Sequence, residues 1–519
     1  MENKTDIEFT RCARFTDVFT DSGAEYVLPD YNGDVRKILY TGAEVRPSGR
    51  FIGGDEMEFS GIVVYNMLYL DSEDKLNSVE FNSDYDYSVK CNEETLRDAV
   101  CDTRISNYAI RLAGPRKISA KASVVGSVRL CERDALRAVG SSFCDEEAPE
   151  LNLRAVNIRE SVPSGQTERE FAETLAKLDG AIAEEVSVLF TNAEGFAESV
   201  EYSDGRVNIK GKLRMSGVIK NGDEPAYRIS KTVSFDEGID FEGDSDMKFL
   251  PSVTVTSLRT DINGDENGTN VVISAIAELS VVGEKNQNLT VVTDAYLKSC
   301  ETDNVYENFS FSELCGVGVS RISHNAEISR AELESERLRE VLFLTATPKV
   351  ESTAMISGAL NITGEIRYNG VASEITENDE TSYVMLKFNE PFSINVNCDC
   401  QKGENLRYET KVYARGVDAN IDANNLYASA NLEAVAVFYE DKTVKVLASS
   451  DKVSGGEFSS DGAKITVYYP GKDDTVFDVA RRYHTSVSKL ASDNMLTEEV
   501  IKGESEGGGL GGVKRLIVY

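Results

Sequence analysis

The 519-residue sequence has only two histidines, His324 and His484, and no tryptophan. A mechanism that pairs histidine with cysteine or serine has almost no material here, and we expect no enzymatic activity. Long apolar runs are missing too. No segment approaches the roughly 18 apolar residues of a membrane-crossing helix, and residues 1–21 are polar, unlike a signal peptide. The expectation is a cytosolic protein that does not insert into membranes. Basic residues are scarce beside acidic ones, 55 against 88, for a net charge of −33. Such a chain repels phosphate backbones and anionic lipid, which argues against nucleic acid as a partner and for a basic protein patch or divalent cations. The nine cysteines (Cys12, Cys91, Cys101, Cys131, Cys144, Cys300, Cys315, Cys398 and Cys400) are odd in number and scattered. A chain this large does not need disulfide staples, so they read as reduced thiols.

What the sequence does have is repetition. Glu58-Phe59-Ser60-Gly61-Ile62-Val63-Val64-Tyr65 returns as Asn208-Ile209-Lys210-Gly211-Lys212-Leu213-Arg214-Met215 and again as Asn361-Ile362-Thr363-Gly364-Glu365-Ile366-Arg367-Tyr368. The glycines are 150 and then 153 residues apart. Leu39, Leu189 and Leu342 each precede their glycine by 22 residues, and Ser119-Ala120 recurs as Ser274-Ala275 and Ser429-Ala430, 155 residues apart both times. So long a period means successive domains rather than a solenoid of short repeats. The expected fold is mainly β: three repeated sandwich- or barrel-like modules followed by a small C-terminal βααβ domain.

In order, residues 1–25 read as a tail or a first edge strand, and module one occupies 26–150. Val63, Tyr65, Met67 and Tyr69 alternate along a strand, with a turn at Asp71-Ser72-Glu73-Asp74. Thr167 and Glu170 have capping-box spacing, and Phe171, Leu175 and Leu178 follow at helical intervals; Ser329 and Glu332 repeat the spacing before Leu333 and Leu338. These predict a helix leading module two (160–300) and another leading module three (325–450). Asn221-Gly222 and Asn369-Gly370 are the expected hairpin turns of those modules. Residues 451–463, rich in serine and glycine, read as a flexible linker. From Lys464 to the end there are eight basic and eight acidic residues, so the whole charge excess lies in the modules. In this tail (464–519) Ile465-Thr466-Val467-Tyr468-Tyr469 is a strand, Asp473-Asp474-Thr475 a helix start, Ser486 a second one, and Leu516-Ile517-Val518 a closing strand.

No constellation carries chemistry convincingly. Asp261-Ile262-Asn263-Gly264-Asp265-Glu266 opens like a calcium loop, but Glu266 replaces the glycine of the sixth position and no glutamate stands at the twelfth. It reads as an acidic turn. Cys398-Asp399-Cys400 is too close for a zinc knuckle and has no second pair. Gly316-Val317-Gly318 opens no helix and reads as a turn, while the 507–512 glycine run lacks the lysine and hydroxyl of a nucleotide loop. No metal or cofactor is expected.

The tail resembles a LysM domain: Asp473-Asp474-Thr475-Val476, Val479-Ala480-Arg481-Arg482-Tyr483 and Leu490-Ala491-Ser492-Asp493-Asn494 follow that family's pattern. Asp473 stands where glycine is usual, and Ile501-Lys502-Gly503 lacks the proline of the second glycan-binding loop. The modules are similar to the SPOCS repeat of clostridial spore-coat morphogenetic proteins, through Leu28-Pro29-Asp30-Tyr31, Asp34-Val35-Arg36-Lys37-Ile38-Leu39, Gly61 with Tyr65-Asn66-Met67-Leu68-Tyr69, and Val292-Thr293-Asp294-Ala295-Tyr296. The resemblance implies a scaffold of the mother-cell cytoplasm, at the forespore surface or in the spore coat. Its LysM-like tail would dock on a coat morphogenetic ATPase of the SpoIVA kind, with other coat proteins as further partners. The alternative is peptidoglycan, bound through N-acetylglucosamine glycan. Asp474, Thr475, Val476, Arg481, Tyr483 and Asn494 are the expected partner- or glycan-binding residues.

Overall fold

A computed structural model describes residues 4–30, 32–139, 147–333, 335, 337–398, 405–422, 425–458, 465–471, 473–502, 510 and 513–519. The fold is mainly β. β1 (Lys4–Val27), β2 (Val35–Gly53), β3 (Glu56–Asp71), β4 (Leu76–Lys90), β5 (Leu96–Gly114) and β6 (Lys117–Val139) make a first unit. A second repeats it with its first strand broken in two: β7 (Glu150–Pro163), β8 (Thr167–Asp179), β9 (Val186–Ser203), β10 (Arg206–Asn221), β11 (Tyr227–Asp240), β12 (Lys248–Asp265) and β13 (Gly268–Tyr296). The third comprises β14 (Cys300–Ser329), β15 (Leu338–Ile356), β16 (Ala359–Ile375), β17 (Thr381–Asn397), β18 (Leu406–Ile421) and β19 (Asn425–Glu457). In each unit the second to fourth strands form a meander (β2-β3-β4, β9-β10-β11, β15-β16-β17), and in the other sheet the first strand returns beside the last (β1-β6-β5, β7 and β8 with β13 and β12, β14-β19-β18). All pairings are antiparallel.

The two sheets of a unit share one core, as in a sandwich. Val63, Tyr65, Met67 and Tyr69 of β3 belong to the same buried cluster as Ile118, Ala120, Ala122 and Val124 of β6. The repeated glycine sits on the middle strand of each meander, directly opposite an aromatic residue: Gly61 faces Tyr85, Gly211 faces Phe235 and Gly364 faces Phe392. A Cβ on Gly61 would lie 2.5 Å from both Arg46 O and Tyr85 Oη. Gly211 is crowded the same way by Phe196 O and Phe235, and Gly364 by Lys349 O and Phe392. The glycine recurs because a ring lies across the strand where a side chain would stand.

The units also close on one another. Leu39, Leu189 and Leu342 meet in a single cluster with Tyr40, Phe190 and Phe343. These three rings occupy equivalent positions, 150 and 153 residues apart, and each touches the other two, with centroids 5.6 Å (Tyr40–Phe190), 4.8 Å (Tyr40–Phe343) and 4.1 Å (Phe190–Phe343) apart. This explains why β3 is buried on both faces near its end: Tyr65 and Tyr69 face the sandwich core while Leu68 and Leu70 face the junction. A polar junction joins the other sheets. Arg129, Glu284 and Tyr439 are equivalent residues, 155 apart both times. Glu284 is fully buried and takes ion pairs from Arg129 (2.6 Å) and Arg159 (2.9 Å); Glu409 of the third unit pairs with both arginines, and Arg159 lies over the Tyr439 ring. Further along the same strands Val291 and Val446, with Leu136 against them, meet Phe9, Ile158 and Phe311.

Several local expectations change. Residues 167–178 are strand β8, not a helix. A bulge at Leu175, opposite Val271 and Val272, shifts the alternation by one residue, so inward residues spaced by four and then three imitate a helical face. The Ser329–Glu332 bonds do form (3.1 Å and 3.3 Å), but the chain makes a single turn before β15. Asn369-Gly370 lies inside β16: Asn369 donates to Thr41 O (3.1 Å), and Gly370 is crowded by Phe343 O. The turn falls instead at residues 376–380. Gly316-Val317-Gly318 belongs to β14, and the calcium-like run ends β12. β19 runs on through Glu457, so the expected linker is strand for half its length; residues 459–464 lie outside the described residues, as do Cys144, Cys400 and 507–509. The units span 4–139, 150–296 and 300–457, starting earlier than the expected 26–150, 160–300 and 325–450, because each first strand is recognised only by its distant partner.

Candidate functional site

The C-terminal domain carries every residue expected to bind. Its elements are β20 (Thr466–Tyr468), α1 (Val476–Arg482), α2 (Val487–Asp493), a third short helix α3 (Glu498–Lys502), and β21 (Leu516–Val518). Thr475 caps α1: its hydroxyl accepts from Asp478 N (3.1 Å) and its own N–H donates to Asp478 Oδ2 (3.1 Å), a complete capping box. Ser486 caps α2 by accepting from Lys489 N. Val476, Val479, Ala480, Leu490, Leu516 and Val518 fill the core beneath.

Most of the expected binding set is thereby engaged in holding the domain together. Val476 is core and Thr475 is the cap. Asp474 accepts from the Tyr468 hydroxyl and from Gly471 N (2.7 Å); these hydrogen bonds hold its carboxyl below the usual carboxylate range. Tyr483 packs edge-on against Tyr468, with centroids 5.8 Å apart. Asn494 donates to Leu490 O (2.9 Å) and exchanges two hydrogen bonds with the backbone of Ile517. Arg481 is the one that reaches out of the domain, pairing with Asp294 Oδ2 at 2.6 Å.

That ion pair is part of a seat on the second unit. The Tyr296 ring stands edge-on to Phe477 (5.1 Å between centroids) and its hydroxyl donates to Thr485 O (2.7 Å). Burial pushes the Tyr296 phenol well above its ordinary pKa. Val487 N donates to Glu150 Oε2 (3.3 Å), and His484 stacks on Phe458, ring centroids 3.5 Å apart, where burial lowers the imidazole pKa. The domain is therefore seated on the body at the end of β13 rather than hanging from a tether. The sequence singled out Asp294 and Tyr296 only through a resemblance; nothing in local pattern marks them as a platform. Among the residues the domain leaves exposed are the apolar Ile465, Val467, Tyr469 and Tyr519.

A cleft of about 460 Å³ between units two and three is lined by Asp244, Lys248, Lys285, Asn286, Gln287 and neighbours, but Asp244 is paired with Lys285 (2.9 Å) and Glu284 with the arginines. His324 bonds Tyr368 Oη and Pro391 O, in a different unit from His484. Among the described residues no group of three or more His, Cys, Asp or Glu could hold a metal, and no helix is long and apolar enough to cross a membrane. In comparisons with known proteins, no family model, no curated protein and no solved structure matches the chain.

Proposed function

We propose that this chain is a non-enzymatic scaffold in spore-coat assembly, working in the mother-cell cytoplasm at the forespore surface and docking through its C-terminal domain on a coat ATPase of the SpoIVA kind. The observation that carries this reading is the architecture: three copies of one sandwich locked together at shared junctions, with a separately folded domain seated on one of them. Such a body presents broad acidic surface.

A protein partner is favoured over glycan by the two loops that would border a LysM glycan groove. Leu510 N donates to Asp474 O (2.9 Å) and the Leu510 side chain is buried in the domain core. That bond ties Leu510 to the first loop, and the Asp474 carboxylate is already engaged with Tyr468 and Gly471.

The test is retention of the full chain by the purified coat ATPase and, separately, by insoluble peptidoglycan, together with the position of a fluorescent fusion in sporulating cells. Binding to the ATPase with the fusion encircling the forespore is expected. Retention on peptidoglycan alone assigns the glycan reading instead, and a fusion that stays diffuse without ATPase binding removes the coat reading.

A further inference from the structure

The sheet of the C-terminal domain has one covered edge and one open edge. Asn494 covers β21: its amide donates to Ile517 O (2.7 Å) and its carbonyl accepts from Ile517 N (2.6 Å). Ile517 therefore turns both backbone groups away from β20. Its partner across the sheet is Val467, so this is the non-hydrogen-bonded type of antiparallel pair, and the N–H and C=O of Val467 also point outward, off the free edge of β20. Among the described residues no strand lies on that edge and no backbone bond takes those groups. The side chains beside it are apolar. Ile465, Val467 and Tyr469 alternate on the outer face and are 60, 49 and 72 % exposed.

We propose that two copies of the chain pair through β20, antiparallel and centred on Val467, merging two two-stranded sheets into one of four strands. A two-fold pairing must be complementary to itself, and this stretch is. Val467 faces Val467 of the second copy, where each supplies the N–H and C=O that the other's outward groups need. In the same register Ile465 faces Tyr469 of the second copy and Tyr469 faces Ile465, so the outer face carries apolar and aromatic cross-strand pairs throughout. Thr466 opposes Tyr468 on the inner face. No charge falls in residues 465–469, and Pro470, which has no N–H to donate, follows them.

Charge selects this domain as the meeting point. From residue 464 onward acidic and basic residues balance, while the rest of the chain carries the entire net charge of −33. Body against body is repulsive; domain against domain is not. Pairing over five residues buries less than the ~1,200 Å² of a standard stable interface, so the dimer is weak and reversible. Added salt, which screens the repulsion between bodies, tightens it. The inference does not depend on the coat reading.

Sedimentation of the full chain over a concentration series tests it, beside V467K, which places two like charges on the two-fold axis. Wild type shifts reversibly from monomer to dimer, and V467K weakens the dimer about tenfold or more. Unchanged hydrogen-exchange protection of α1 confirms that V467K remains folded. Register is read by crosslinking under mild oxidation, with wild type as the baseline for the native cysteines. V467C crosslinks strongly, because identical residues stand ~5.5 Å apart between Cα atoms. I465C and Y469C crosslink weakly alone, since identical positions are then ~14 Å apart, but readily when mixed with each other. A chain that stays monomeric with V467C no more crosslinked than wild type overturns the proposal and leaves the edge to a different protein. A dimer that V467K does not weaken places self-association elsewhere and overturns it equally.

Discussion

Glu284 is a carboxylate with no solvent exposure on which arginines of two units converge. Burial alone would raise its pKa, but the Arg159 and Arg129 guanidiniums reverse that and hold it below the ordinary 4.5. A group whose folded pKa is depressed stabilises the fold above its unfolded pKa and ceases to do so as pH falls through the folded value. E284Q, which leaves the two arginines short of a charge, should therefore cost ~3–5 kcal/mol at neutral pH. In thermal melts the gap from wild type should narrow below pH 4.5; a gap that persists in strong acid means that the ionised carboxylate is not what matters. The repeat glycines work at the same scale by sterics. G211A forces a methyl group into Phe196 O and the Phe235 ring, an overpacking cost of ~1–3 kcal/mol by urea unfolding. G205A, at a hairpin tip with φ of 78° and nothing near its absent side chain, should cost about 1 kcal/mol through backbone strain alone.

Among the elements, the seat of the C-terminal domain combines two kinds of contact whose effects differ in size. Tyr296 supplies a buried ring against Phe477 and a hydrogen bond to Thr485 O, so Y296A should weaken docking by ~3 kcal/mol or more. The Arg481–Asp294 pair is partly exposed, and R481A should weaken it by ~1 kcal/mol or less. Hydrogen exchange in α1 and α2 measures both. Faster exchange there with β3, β10 and β16 still protected is the expected pattern; an R481A effect as large as that of Y296A means that charge rather than the ring holds the domain down. Elements also show where local signals mislead. The capping contact of Ser329 with Glu332 is real, yet one turn is all that forms, because Leu338, Val341 and Leu342 are claimed by β15 and its buried neighbours. A local preference worth ~1 kcal/mol yields to the burial of several apolar side chains.

At the scale of the whole molecule, the three units share side chains they cannot bury alone. Phe343 stacks on Phe190 and stands edge-on to Tyr40, so its ring contributes to all three units at once. F343A should cost ~3–5 kcal/mol and also loosen the coupling between units. Calorimetry of the wild type should show the units unfolding together, and F343A a broadened or divided transition. A single transition of unchanged width, merely lowered in temperature, would assign the coupling to the ionic junction or to Phe9, Ile158 and Phe311 instead.

Some of this was written in the chain itself. Alternation at Val63, Tyr65, Met67 and Tyr69 depends only on the period of a strand, the repeat intervals only on counting, and the caps of α1 and α2 on neighbours three residues apart. The intervals even held the key to the junctions, since Tyr40, Phe190 and Phe343 keep the glycine spacing and Arg129, Glu284 and Tyr439 keep that of Ser119-Ala120. What no local pattern contains is which surfaces meet. The bulge at Leu175 made a strand look helical, Gly370 looked like a turn until Phe343 was laid across it, and Arg481 looked free until Asp294, far away in sequence, took it. Those outcomes were decided by tertiary packing, because burying apolar area between distant segments outweighs the smaller preferences that a short stretch of sequence can express.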